Sequence, residues 1–98
     1  MKRVSKAIDR LKEDLFEVWT DRIYEELQTL EEQNEKEFSG ICKYFKGISE
    51  SLMWQIFEEG VLSEGNIYKL PSLLEKDVTD LVDTLKGEFL FKKEEGLI

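Results

Sequence analysis

The strongest constraint on the fold is a segment from Lys2 to Ser39 that contains neither glycine nor proline. Its apolar side chains recur about every 3.67 residues, close to the turn of a straight α-helix and longer than the 3.5-residue repeat of a coiled coil. These side chains are Ile8, Leu11, Leu15, Trp19, Ile23, Leu27 and Leu30. Phe16 and Val18 widen the stripe, as is typical of a helix that packs against two neighbours. The segment therefore predicts a long first helix within a bundle.

The ends of this helix are marked by capping residues. Ser5 is a candidate for the N-terminal cap, and the sequence from Thr29 to Glu32 matches a capping box. This match predicts a break and a restart near residue 29. Ser39 and Gly40 mark the first clear boundary between elements, because glycine commonly ends a helix.

The second apolar stretch runs from Ile41 to Phe57 and is the least charged part of the chain. On one helix, its apolar face would hold Phe38, Ile41, Cys42, Phe45, Ile48, Leu52, Met53 and Ile56. Gly47 and Ser49 either lie inside this helix or divide it into two short ones. Gly60 suits the position just after the helix end.

The C-terminal third predicts a connection, a helix and an ambiguous tail. Residues 60–71 are typical of a connection, and Ser72 with Glu75 predicts a helix start. Gly87 is a natural stop for that helix. The tail, residues 88–98, is either a strand around Phe89 or a continuation of the helix through Gly87. The strand alternative would also suit a winged helix that binds protein.

These patterns together predict an all-α fold. We expect a bundle of three or four helices with a long N-terminal helix, and a single helical domain over residues 1–98. A short strand or an extended C-terminal tail is left open. The central apolar stretch should form the middle of the core.

Composition excludes several classes of protein. There is no histidine and one cysteine, so histidine-based catalysis, a zinc site of Cys and His ligands, and a disulfide framework are all excluded. The net charge of −8 disfavours direct binding to nucleic acid, because phosphate contacts dominate such affinity. No glycine-rich phosphate loop, nucleophile elbow or calcium loop is present. We expect no enzyme, no cofactor and no metal.

The chain is predicted to be cytoplasmic. No segment approaches 18 uncharged apolar residues, so we expect no membrane span. The first residues are basic but lead into no apolar run, so a secretory signal is not expected. Cys42 falls on the predicted core face, and an unpaired cysteine is typical of a reducing compartment.

The clearest functional candidate is a row of carboxylates spaced four residues apart on the first helix, which we call the acidic ladder. Its members are Asp9, Glu13, Glu17, Asp21 and Glu25. Like charges at this spacing destabilise a helix by about 0.2–0.5 kcal/mol for each pair. The ladder is therefore either a solvated face or a surface that binds a basic protein. Mimicry of nucleic acid would need a second acidic ridge, for which Asp77, Asp80 and Asp83 are the candidates.

Trp54 is the second candidate. It lies about 160° from the apolar stripe, on the side of Gly47. It is either an anchor for a partner or a core residue packed under the first helix. Residues 1–12 carry a net charge of +4, and they would pair with the acidic half of a second, antiparallel copy. This charge pattern makes a homodimer an alternative to solvation.

By elimination, the sequence favours a small acidic regulatory or inhibitory protein. We expect it to act by stoichiometric binding of a protein with a basic surface, through the acidic ladder and Trp54. One alternative is a helical sensor with an apolar pocket lined by aromatic side chains: Phe38, Tyr44, Phe45, Trp54 and Phe57. Another alternative is a structural subunit that forms homo-oligomers.

Overall fold

The computed structural model describes residues 2–62 and 70–97, and side chains within residues 9–62 and 72–97. The described residues form an all-α bundle without a strand, which confirms the predicted fold class. The helices are α1 (Lys2–Gln33), α2 (Glu35–Phe38), α3 (Ile41–Lys46), α4 (Glu50–Phe57) and α5 (Leu70–Glu94), with a π-helical segment (Glu58–Leu62) directly after α4. Two long helices, α1 and α5, thus enclose a chain of short ones.

The first helix is long, as its periodicity predicts, but its break lies later than expected. It continues through residue 29 and ends at Gln33, and Asn34 leaves the helical conformation at φ −146°. The predicted capping box does not form because the helix continues through Thr29, whose backbone is inside α1 rather than at a new helix start. Glu31 Oε1 accepts a hydrogen bond from the backbone N–H of Gly40 at 2.6 Å. This bond ties the end of α1 to the start of α3, where Gly40 has a left-handed φ of 93°.

The central apolar stretch forms two helices rather than one. The N–H of Gly47 donates to the carbonyls of Lys43 and Tyr44, which closes α3. Ser49 then caps α4, because its hydroxyl accepts a hydrogen bond from the N–H of Leu52 at 3.2 Å. Of the two arrangements that Gly47 and Ser49 allowed, the structure has the divided one.

The sequence predicted that Gly60 follows the end of a helix, but this residue lies inside the π-helical segment. A methyl group at this position would lie 2.6 Å from Oδ1 of Asp77, so the lack of a side chain lets α5 approach closely. Gly60 thus lies in close contact with the Asp77 carboxylate and does not form a left-handed turn. The predicted connection, residues 60–71, lies largely outside the described residues.

The last helix begins earlier than predicted and follows the longer of the two alternatives at its C-terminal end. It begins at Leu70 rather than Ser72, and it continues through Gly87 to Glu94. Of the two arrangements left open for the tail, the structure has the continuous helix, because Leu85 and Phe89 are both buried and their burial favours an unbroken helix. Two residues after the last helical residue, Gly96 has a left-handed φ of 75°. The N–H groups of Gly96 and Leu97 donate to the carbonyls of Lys93 and Lys92, so the described tail holds neither strand nor hairpin.

One apolar core joins all the helices. Its fully enclosed side chains are Trp19, Ile23, Leu27, Ile41, Phe57, Val61 and Val78. Two predicted core positions are wrong: Val18 is 50% exposed and Leu52 is 47% exposed. Val18 lies at the far edge of the stripe on α1, and Leu52 leaves the expected face because the break at Gly47 changes the helical register. Cys42 is buried as predicted, and burial raises the pKa of its thiol.

Candidate functional site

The α1 and α4 helices meet through two stacked aromatic rings. Phe16 of α1 and Trp54 of α4 lie face to face, with 4.0 Å between ring centroids and 7° between ring planes. Phe57 contacts the Trp54 ring edge-on at a centroid distance of 5.8 Å. Trp54 is only partly buried, so its ring belongs both to the packing of the helices and to the surface.

A shallow cleft of about 380 Å³ opens beside this stack, and we call it the Trp54 cleft. It is lined by Glu13, Phe16, Glu17, Thr20, Glu50 and Trp54. The three glutamates are exposed, and they lie around the two aromatic rings. The hydroxyl of Thr20 donates to backbone carbonyls of its own helix, so it is already satisfied.

All five ladder carboxylates are exposed on α1. The five carboxylates nevertheless differ in whether they pair with Arg22. Glu25 forms an ion pair with this arginine at 3.1 Å. None of the other four carboxylates lies within ion-pair distance of a described lysine or arginine side chain. Two of those four, Glu13 and Glu17, line the Trp54 cleft, whereas Asp9 and Asp21 do not.

Arg22 joins α1 to α5. Its Nε and a terminal nitrogen donate to the two carboxylate oxygens of Glu75, at 3.2 and 3.1 Å. A terminal nitrogen also lies 3.5 Å from Glu26. Hydrogen bonds to Glu75 and Glu25 raise the pKa of the guanidinium further above its ordinary value. Arg22 is therefore paired with glutamates of its own chain on both α1 and α5.

The proposed second acidic ridge is also divided. Asp77 accepts a hydrogen bond from the indole Nε1 of Trp19 at 2.8 Å, so this carboxylate holds a core tryptophan. Asp80 and Asp83 are exposed on α5. Of the basic N-terminal residues, Lys2, Arg3 and Lys6 have side chains outside the described part of the chain.

The five aromatic residues expected to line a pocket lie in different places. Phe38, Phe45 and Phe57 are buried in the core. Tyr44 lines a groove between α3, α4 and α5, whereas Trp54 lines the Trp54 cleft. These five side chains therefore do not enclose one common cavity in the described structure.

Sequence reasoning found Glu13, Glu17 and Trp54 but missed the other three residues of the cleft, which are Phe16, Thr20 and Glu50. Glu50 lies four residues before Trp54, so the two share a face of α4 once the helix is known to begin at Glu50. Phe16 was assigned to the edge of the core stripe, three residues after Glu13. Its role became visible only when the partner ring was known.

The chemistry of the Trp54 cleft suits a cation. Carboxylates attract an ammonium or guanidinium group, and the electron-rich face of tryptophan attracts the same group. Within the described residues, no group of three or more Cys, Asp or Glu side chains is arranged to hold a metal ion. Lysine and arginine side chains carry the ammonium and guanidinium groups that such a surface attracts.

The fold and the cleft define an all-α helical bundle with an acidic, aromatic surface site. No helix in the described ranges is both long and apolar enough to cross a membrane. No family model matches the chain, and no match was found among the curated proteins or the solved structures.

Proposed function

We propose that this chain is a small regulatory or inhibitory protein that acts by stoichiometric binding of a partner with a basic surface. The contact is the Trp54 cleft together with the neighbouring carboxylates of the acidic ladder. The proposal assigns no catalysis and no cofactor. We expect the protein to work in the cytoplasm, where its unpaired Cys42 would stay reduced.

One observation carries this proposal: the ladder and Trp54, which are far apart in sequence, meet at one cleft. Glu13 and Glu17 line the same cavity as the Trp54 ring, and Glu50 adds a third carboxylate. Tryptophan and arginine are the residues most enriched at energetic centres of protein interfaces. A partner arginine would meet both an aromatic surface and several carboxylates here.

The electrostatics of α1 also support the proposal. Repulsion along the ladder from Asp9 to Asp21 destabilises the free helix, and no described lysine or arginine forms an ion pair with these four carboxylates. A basic partner would remove this repulsion on binding and would be attracted from a distance in dilute salt. A homodimer with the basic residues 1–12 facing the ladder is the alternative. Light scattering over a range of concentrations would distinguish it by a rise in mass.

The test is affinity capture with the full chain, followed by titration calorimetry with the purified captured protein. Glu13→Lys combined with Glu17→Lys should reduce the affinity for a basic partner by more than about tenfold, because attraction becomes repulsion. The matched control is Glu94→Lys with Glu95→Lys, which changes the net charge equally at the exposed end of α5. Equal losses for both pairs would reduce the effect to net charge, and unchanged affinity in the cleft variant would refute the proposal.

A further inference from the structure

A second concavity lies on a different part of the molecule, and it shares no lining residue with the Trp54 cleft. It is a half-open groove of about 800 Å³ between α5 on one side and α3 and α4 on the other. Its apolar lining includes Ile48, Leu52, Met53, Ile56, Leu81 and Leu85. We call it the α4–α5 groove. Its volume lies within the range of about 300–1,000 Å³ that is typical of small-molecule sites.

One end of this groove is polar. The Nζ of Lys92 donates to the hydroxyl of Tyr44 at 2.9 Å, and Lys43 lines the same end. The Tyr44 hydroxyl in turn lies 3.4 Å from Oε2 of Glu88. Hydrogen bonding to Tyr44 raises the pKa of the Lys92 ammonium above its ordinary value, so this group is charged at neutral pH. Two cations and one carboxylate leave this end with a net positive charge.

The groove therefore changes from apolar to cationic along its length. On α5 the lining residues run from Leu81 through Leu85 to Glu88 and Lys92, a rise of about 16 Å. On the facing side the chain runs in the opposite direction, because Tyr44 contacts Lys92 and Gly60 lies against Asp77. Both walls consequently place their charged residues at the same end. The positive end stands out in a chain with a net charge of −8.

We propose that the α4–α5 groove binds an amphiphile with one apolar chain and one anionic head group, of the long-chain carboxylate class. The apolar chain replaces water over Leu52, Met53, Ile56, Leu81 and Leu85. The carboxylate accepts charge-assisted hydrogen bonds from Lys43 and Lys92. The half exposure of Leu52 is explained by this role, because its side chain would be covered by the ligand.

The charge distribution favours this occupant over a partner helix or a second copy of the chain. A single cationic end and a mainly apolar wall match a ligand whose polarity also changes once along its length. A second copy would bring another strongly acidic surface against Glu88 and the exposed acids of α5. The α4–α5 groove is separate from the Trp54 cleft, so a negative result at one site does not contradict the function proposed for the other.

The experiment compares three probes with the same twelve-carbon chain, each below its micellar concentration. The purified full chain is titrated with dodecanoate, dodecanol and dodecyltrimethylammonium, and binding is followed by calorimetry and by NMR of the methyl groups of Leu52 and Leu81. Dodecanoate should bind more tightly than either analogue by about tenfold or more, since only the carboxylate gains charge-assisted bonds. Equal affinity for the three probes, or the absence of binding by dodecanoate, would overturn the proposal.

Variants locate the site. Lys43→Gln combined with Lys92→Gln should remove the preference for dodecanoate but leave dodecanol binding unchanged, whereas Lys36→Gln on α2 should change neither. Glu88→Gln should strengthen dodecanoate binding, because it removes a repulsive charge. Leu52→Asp, at an exposed position, should abolish binding of all probes without unfolding the protein, and Leu90→Asp is its matched control. If Leu52→Asp instead converts a dimer to a monomer and the probes do not bind, the groove is an interface between copies.

Discussion

The two tryptophans of this chain belong to the same aromatic cluster, yet their environments differ. Trp19 and Trp54 both contact Phe57, at centroid distances of 5.1 and 5.8 Å. Trp19 has no exposed surface, and its indole N–H donates to Asp77. Trp54 remains partly exposed and lies beside the carboxylates of Glu13 and Glu17.

This difference separates a residue that holds the fold from one that is available for binding. Both rings supply apolar contacts, but only Trp19 has its polar atom paired inside the protein and its whole surface removed from water. The remaining surface of Trp54 is not covered by the described part of its own chain. We therefore expect Trp19 to contribute more than Trp54 to stability, and Trp54 to contribute more than Trp19 to partner binding.

The largest effect should come from deleting each ring in turn. Trp19→Ala should lower the free energy of unfolding by about 3–5 kcal/mol, because it leaves a large cavity and removes the hydrogen bond to Asp77. Trp54→Ala should cost about 1–2 kcal/mol, since only part of its surface is buried. Urea denaturation followed by circular dichroism measures both values. Similar losses for the two variants would mean that Trp54 is a core residue, which would weaken the proposed binding role.

An intermediate effect should come from the polar partner of each ring. Asp77→Ala should cost about 1–3 kcal/mol, because it removes a hydrogen bond between a buried N–H and a charged acceptor. Asp77→Asn keeps an oxygen acceptor at the same place and should cost less. Glu50→Ala, beside Trp54, should change stability by about 0.5 kcal/mol or less, as is usual for exposed positions. A larger loss for Glu50→Ala than for Asp77→Ala would contradict the comparison.

The helical framework was predictable because it depends on local periodicity. The stripe from Leu15 to Leu27 on α1 lies against the core as its spacing requires. Gly60 and Gly87 show where local preference and packing compete. Gly87 is tolerated inside α5 because the burial of Phe89 outweighs the cost of about 1 kcal/mol for a helical glycine. The environment of Gly60 depends on the close approach of Asp77, a residue distant from it in sequence.

The Trp54 cleft was only partly predictable for a related reason. The acidic ladder needs nothing more than a helix, so its exposure followed from the sequence. The position of Trp54 depends on where α4 begins, which follows from the break at Gly47 and the cap at Ser49. The stack between Phe16 and Trp54 joins residues that are distant in sequence and has no local signature. Excluding other functions also gave no information on which surface brings the candidate binding residues together.

The smallest effect tests the electrostatic surroundings of the two rings directly. Trp19→Phe leaves Trp54 as the only tryptophan, and Trp54→Phe leaves Trp19. In dilute salt, caesium should quench Trp54 fluorescence about two- to threefold more effectively than iodide, relative to free N-acetyltryptophanamide, because the glutamates concentrate cations and repel anions. Trp19 should be quenched weakly by both ions, since its ring is enclosed. Replacing Glu13, Glu17 and Glu50 with glutamine should abolish the preference for caesium at Trp54, and a preference that survives this change would mean that the cleft carboxylates do not set the local field.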